Sequence, residues 1–141
     1  MLARMTSGHL PILIIDGSRF GDLPGFAREF SALLDDYTWT DSLDAFNDIL
    51  RGGFGTPESG FVLRWLHSDR SRVALAWDAT IEWLARTLQR CHPSNRAHFS
   101  EQLAQAGRHE GSTLFDWLTE IIRDHGPGGR ESEDNVHLEL L

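Results

Sequence analysis

Apolar positions along this chain follow two different spacings, and the changes between them mark out the elements. Residues 11–15, Pro11-Ile12-Leu13-Ile14-Ile15, are continuously apolar and stop at Asp16-Gly17. A short run of that kind predicts a strand covered on both faces. Phe26, Phe30, Leu33 and Leu34 then recur at i, i+4, i+7 and i+8, one face of a helix that starts after Pro24 and closes at Asp35-Asp36-Tyr37. Leu43, Phe46, Ile49 and Leu50 repeat helical spacing, and Gly52-Gly53-Phe54-Gly55 ends that helix, glycine supplying a left-handed cap. Residues 61–66 read as a second strand. Residues 69–91 read as helical, in one piece or two, with Ile81, Leu84 and Leu88 on the inner face and Trp77 a candidate to join them.

His92-Pro93-Ser94-Asn95 breaks that segment, and 96–106 suits a further short helix. Leu114, Trp117, Leu118, Ile121 and Ile122 form a clear apolar stripe, with Ser112 or Thr113 as the cap. Residues 126–134, rich in Gly and charge, read as a flexible surface loop. Val136, Leu138 and Leu140 alternate with His137 and Glu139, the pattern of a strand with one buried face. Strands separated by helical segments need crossovers, so the fold class is α/β with a mostly parallel sheet. A length of 141 residues without internal repeats suits a single domain over 1–141 that buries about two thirds of its unfolded surface.

The net charge of −8 disfavours nucleic acid as a direct ligand, because phosphate binding needs a basic patch. It suits a basic protein partner, drawn in by complementary fields. All 13 basic residues are Arg and none is Lys, which a GC-rich genome accounts for as readily as function does. A single cysteine, Cys91, excludes an internal disulfide and suits a reducing cytoplasm. The apolar run at 10–15 is too short for a membrane span, so a soluble, cytoplasmic protein is expected.

The most informative polar pattern is acidic. Asp41, Asp44 and Asp48 stand at i, i+3 and i+7, on a stripe separate from the apolar one, and no basic residue lies between Glu29 and Arg51. Like charges one turn apart cost a helix about 0.2–0.5 kcal/mol per pair. Capping explains part of this: with Asp41 as N-cap, Asp44 sits near the positive end of the helix. Asp48, a turn further on, gains little from the dipole. A solvated face and a surface for a basic partner both fit the spacing.

Signals for catalysis are absent from the pattern. Cys91-His92 with His98 is the densest cluster of metal-ligating residue types, and it lacks His-Glu-x-x-His or paired Cys-x-x-Cys spacing. Ser71, Ser94 and Ser112 lack the Gly-x-Ser-x-Gly context of an activated nucleophile. No Gly-Lys-Ser/Thr follows the glycines at 52–55, so they are not a phosphate loop. The expectation is a binding protein, with no enzymatic activity, metal or cofactor.

The order of residues adds to this. Leu43-Asp44-Ala45-Phe46-Asn47-Asp48-Ile49-Leu50 resembles the Leu-Asp-Ala-Leu-Trp-Asp-x-Leu helix of the barstar family, intracellular inhibitors of secreted ribonucleases. Ile14-Ile15-Asp16-Gly17 resembles that family's first strand and turn, 25–30 its first helix, and 61–65 its second strand. Residues 136–140 fit the closing third strand. The resemblance implies a small three-stranded parallel sheet packed with helices. The surplus length, about 76–111, then reads as a helical insertion of one or two helices.

The implied function is inhibition of a secreted or toxin ribonuclease, in the manner of a bacterial immunity protein, by a monomer acting one-to-one. An acidic helix and the loop before it would occupy the enzyme's active site in place of RNA phosphates. Carried over by position, Asp48 takes the place of the family's most important carboxylate and Asp44 the one a turn earlier. Leu43 and Ala45 match packing positions, with Phe46 replacing a Leu. Trp39 matches a loop tyrosine, and a partner-facing ring and a core ring both fit it. Departures surround this pair: Thr40 replaces a loop Gly, Ser42 a loop Asn, Asn47 the helix Trp, and Arg51 a small polar residue. The outlying glutamate of a later helix would fall near Ser112 or Thr113, with Glu110 close but not aligned. The candidate partner surface is therefore Thr38, Trp39, Thr40, Asp41, Ser42, Asp44, Asn47, Asp48 and Arg51. The alternative is a protein-binding module of the same fold with a non-nuclease partner.

Overall fold

Three strands alternating with helical segments build one parallel sheet. In the computed structural model, which describes residues 10–40 and 42–141, β1 (Ile12–Asp16), β2 (Phe61–Leu66) and β3 (Val136–Leu140) lie in the order β1-β2-β3. Both pairings are parallel, with Leu13 opposite Leu63 and Leu63 opposite Leu138. Six helices occupy the crossovers among the described residues: α1 (Leu23–Ser31) and α2 (Leu43–Arg51) before β2, then α3 (Ser68–Ala74), α4 (Trp77–Arg90), α5 (Arg96–Gly107) and α6 (Leu114–Asp124) before β3. The α/β class, the parallel sheet and the positions of the strands agree with the sequence reading.

The sheet is covered on one face, which corrects the expectation for β1. Leu13, Ile15, Phe61, Leu63, Trp65 and Val136 point into the core, while Ile14, one residue out of phase, is 40 % exposed. Successive side chains on a strand alternate faces, so a continuously apolar strand still shows half its residues to whatever lies on the second face. Here that face carries the row Ile14–Arg64–Glu139, where Arg64 Nε donates to Glu139 Oε1 at 2.8 Å.

The core is aromatic. Phe26 and Phe30 of α1, Phe46 of α2, Trp39 and Trp65 are all buried, with ring centroids 4.8–6.4 Å apart in a chain of edge-on and stacked contacts. Such pairs each contribute about 0.5–1.5 kcal/mol beyond the area they bury. The indole of Trp65 donates to Ser71 Oγ at 3.0 Å, so its polar atom is satisfied inside.

Helix ends follow local chemistry. Asp22 accepts from Gly25 N at 2.8 Å, and Pro24 sits in the first turn of α1, where its missing N–H costs nothing. α1 stops at Ser31, so Leu33 and Leu34 lie in the turns beyond it rather than on its face. Ser31 Oγ both accepts from Trp39 N and donates to Trp39 O, fastening the next loop to the helix end. Residues 69–91 resolve into two helices, α3 and α4, and 96–107 forms α5, packed on α4. Thr113 rather than Ser112 caps α6, in a reciprocal capping box with Asp116. Gly60, at φ +107°, lets the start of β2 pass against Asn135 where a side chain would collide.

Candidate functional site

α2 is amphipathic by construction. Phe46, Ile49 and Leu50 are buried and hold the helix to the core, which leaves Asp44, Asp48 and Arg51 in solvent on the opposite side. Ser42 is the N-cap, its Oγ accepting from Ala45 N at 3.2 Å. That displaces the alternative of Asp41 as cap; Asp41 itself lies outside the described residues. Asp44 falls in the first turn, where a carboxylate meets the positive end of the helix dipole. Gly52, at φ +113°, ends the helix as the glycine run predicts.

Asp48 is not an unneutralised charge. Arg51, one turn on, places Nη1 2.7 Å from Asp48 Oδ1, and 60 % of the Asp48 side chain remains exposed. The same guanidinium grips Glu131 from the loop after α6, with Nε–Oε1 at 2.5 Å and Nη2–Oε2 at 3.1 Å. This fork holds the Glu131 carboxyl below the usual carboxylate range and the Arg51 guanidinium above its ordinary value, the hydrogen bond being the largest cause for both. Since Glu131 engages two donors of Arg51, Asp48 is bound through one oxygen only. A carboxylate has about four acceptor positions, so Asp48 keeps capacity for a cation from outside.

Asn47 faces inward. Its Oδ1 is 2.6 Å from Nε2 of His125, a fully buried ring (0 % exposed side chain) whose Nδ1 is 2.7 Å from Asp134 Oδ2. The polar residue that stands at the position of the family's helix tryptophan is therefore a strut between α2 and the end of α6. Trp39, left open between core and partner surface, is in the core at 2 % exposure. Its indole Nε1 donates to Ser42 O at 2.8 Å and braces the first turn of α2. The physical reason is the shape of the loop: with its backbone tied to Ser31, the ring lies on Phe46 at 4.8 Å. Thr38 and Thr40 on either side are exposed.

The exposed ensemble is thus Thr38, Thr40, Ser42, Asp44, Asp48 and Arg51, with Glu131 joining from far along the chain. His125 and Glu131 escaped the sequence reading because their partners on α2 lie 78 and 80 residues away, and Asp134 because it joins α2 only through His125. The loop at 126–134, expected to be flexible, is pinned to α2 and α6 through Glu131 and through Arg130, whose Nη2 is 2.6 Å from Asp124 Oδ2.

His125, Glu131 and Asp134 bring ligand-type atoms within 4.8 Å of one another. Those donors are already in use: both ring nitrogens have partners and Arg51 occupies Glu131, so a cation would have to displace a guanidinium. The cluster reads as a structural network that fixes α2. Asp48, Arg51 and Asp44 can accept and donate charge-assisted bonds, and among the described residues no nucleophile with an adjacent base accompanies them. No helix among the described residues is long and apolar enough to cross a membrane.

No curated protein and no solved structure matches the chain. The family model described as Barstar (barnase inhibitor) matches residues 10–99, which takes in β1, α1, α2 and β2 with the exposed carboxylates between them, and the chain accordingly belongs to the barstar family, whose members inhibit ribonucleases rather than catalyse reactions.

Proposed function

We propose that this protein inhibits a basic secreted or toxin ribonuclease by seating α2 and the loop before it in the enzyme's active site, one inhibitor to one enzyme, in the cytoplasm of the cell that makes the toxin or receives it. The observation that carries this reading is the exposed pair Asp44 and Asp48, one turn apart on a helix whose other face is locked into the core. Set where RNA phosphates would lie, the two carboxylates can take charge-assisted bonds from Arg, Lys and His of the enzyme. Asp48 inserts deepest and Asp44 flanks it. Thr38, Thr40 and Ser42 border the plug. Arg51 contributes by positioning Asp48, and Trp39 and Asn47 by holding the helix rather than by touching the enzyme.

The Asp48–Arg51 pair is exposed, and surface ion pairs contribute little to stability, so a cation from the enzyme can share or replace it at little cost. The family's ribonuclease inhibition points to a protein partner, and the net charge of −8 favours fast association with a basic one. One observation favours a second reading, a protein-binding module with a non-nuclease partner: the Asp48–Arg51–Glu131 network presents mixed charge rather than a bare acidic row.

The test is titration of the protein into small basic microbial ribonucleases, barnase included, with RNA cleavage followed at two salt concentrations. Stoichiometric inhibition that weakens with salt and is lost in Asp48→Ala is expected. Absence of inhibition across the panel moves the function to the second reading.

A further inference from the structure

Arg51 lies on the exposed side of α2, beside the carboxylates that the inhibitor reading needs open. A guanidinium is planar and presents its N–H donors as a rigid fork matched to the two oxygens of one carboxylate. Asp48, one turn back on the same helix, is within reach of that fork. Left to itself, such a pair can close with two parallel bonds. Both Asp48 oxygens would then be engaged inside the protein, and the negative charge cancelled where a cation of the enzyme has to bind.

The observed geometry is different. Glu131 takes the side edge of the guanidinium, with Nε 2.5 Å from Oε1 and Nη2 3.1 Å from Oε2, which leaves Nη1 for Asp48. Glu131 is itself held in place. Its backbone N–H donates to Asp124 O at 2.8 Å, at the end of α6. Gly129 lets the loop run so close to that turn that a Cβ would collide with the Asp124 carbonyl oxygen. Charge follows the geometry: Asp44, Asp48, Arg51 and Glu131 together carry two negative charges, as Asp44 and Asp48 would without Arg51. Glu131 lies outside the residues 10–99 of the family match.

We infer that Glu131 is a positioning residue for nuclease binding: it draws the Arg51 guanidinium sideways, so that Asp48 keeps an oxygen and its charge for a cation of the enzyme. The inference rests on the inhibitor reading above and adds to it a residue far along the chain that acts through Arg51 and does not touch the enzyme. Glu131 acts on the rate of association, which depends on the charge that the face of α2 presents. It acts on residence time as well, because an Asp48 carboxylate already forked by Arg51 offers the enzyme a weaker bond.

The test removes the clamp with and without the group it clamps. Glu131→Gln keeps the shape of the side chain, cancels its charge and leaves one acceptor oxygen in place of two. It is made alone and in an Arg51→Gln background, beside Arg51→Gln, Asp48→Ala and the unaltered protein. Association and dissociation rates are measured with barnase and the other ribonucleases of the panel at two salt concentrations, and melting curves establish folding. Glu131→Gln should weaken binding about tenfold while Arg51 is present, and by about twofold or less in the Arg51→Gln background, the non-additivity of residues that share one network. An equal loss in both backgrounds would mean that Glu131 meets the enzyme directly or acts by charge alone, and overturns the positioning role. A loss in Arg51→Gln as deep as in Asp48→Ala would make Arg51 a direct contact and overturns it as well. Glu131→Gln that binds like the unaltered protein, while Asp48→Ala does not, refutes the inference and leaves the plug standing. Failure of the unaltered protein to bind any nuclease overturns both readings.

Discussion

Asn47 is the residue at which a structural and a partner-facing role make opposite predictions. Replacing it with Leu keeps its volume and removes the oxygen 2.6 Å from His125 Nε2. Because the His125 side chain is fully buried, water cannot take the vacated place, and a buried polar group left unsatisfied costs about 1–3 kcal/mol. Taking about 2 kcal/mol and a urea m value of about 2 kcal/mol/M, the unfolding midpoint should fall by about 1 M. His125→Leu alone leaves Asn47 and Asp134 without their shared partner and should cost a similar amount. With both replaced by apolar groups, the loss should be smaller than the sum of the two single changes, since removing both partners of a buried bond is far cheaper than removing one. Urea unfolding of the two single variants and the double variant completes the cycle. Additivity within about 0.5 kcal/mol, or a single-variant loss for Asn47→Leu below about 0.5 kcal/mol, would refute the strut. Inhibition should weaken only as far as α2 loosens, because Asp44 and Asp48 are untouched.

Asp44→Ala and Asp48→Ala should each lower stability by less than about 1 kcal/mol, since one loses a helix-dipole contact and the other an exposed pair with Arg51; a rise in the midpoint would show that the acidic row is strained after all. Phe46→Ala, which opens a void among Phe26, Phe30 and Trp39, should cost about 3–5 kcal/mol in the same assay. Asp16 is held at about 2, below its ordinary 3.8, first by the Ser18 N–H and then by the His67 ring. A depressed carboxyl stabilises the fold above its unfolded value and loses that contribution as pH falls towards 2. Asp16→Asn should therefore flatten the acid limb of stability between pH 4 and 2, and an unchanged limb in urea titrations across that range would refute the assignment.

Much of this architecture is written in local order. Periodicity alone separates strands at 12–16, 61–66 and 136–140 from the helices between them, because a side chain's face is set by its position within a few neighbours. The family motif likewise marks α2 and places Asp44 and Asp48 on its solvent side, since Phe46, Ile49 and Leu50 have to be buried. The N-caps of α2 and α6 were legible to within one residue: the choice between Ser112 and Thr113, or Asp41 and Ser42, depends on backbone angles that the residue types do not decide.

Tertiary packing settled what depends on distant partners. Whether Ile14 is covered depends on which face of the sheet the helices take, and a continuously apolar strand reads the same either way. Whether Trp39 faces solvent or core turns on Ser31 tying down its backbone. Asp48 reads as one of a bare row until Glu131, 80 residues from Arg51, fixes the guanidinium beside it. Asn47 reads as a surface polar residue until His125 comes to lie against it. Hydrophobic periodicity is a property of neighbours, and so the sequence by itself determined the elements and the outward face of α2. Charge compensation and the burial of single polar groups are properties of pairs brought together by the crossovers, and only the folded chain decided those.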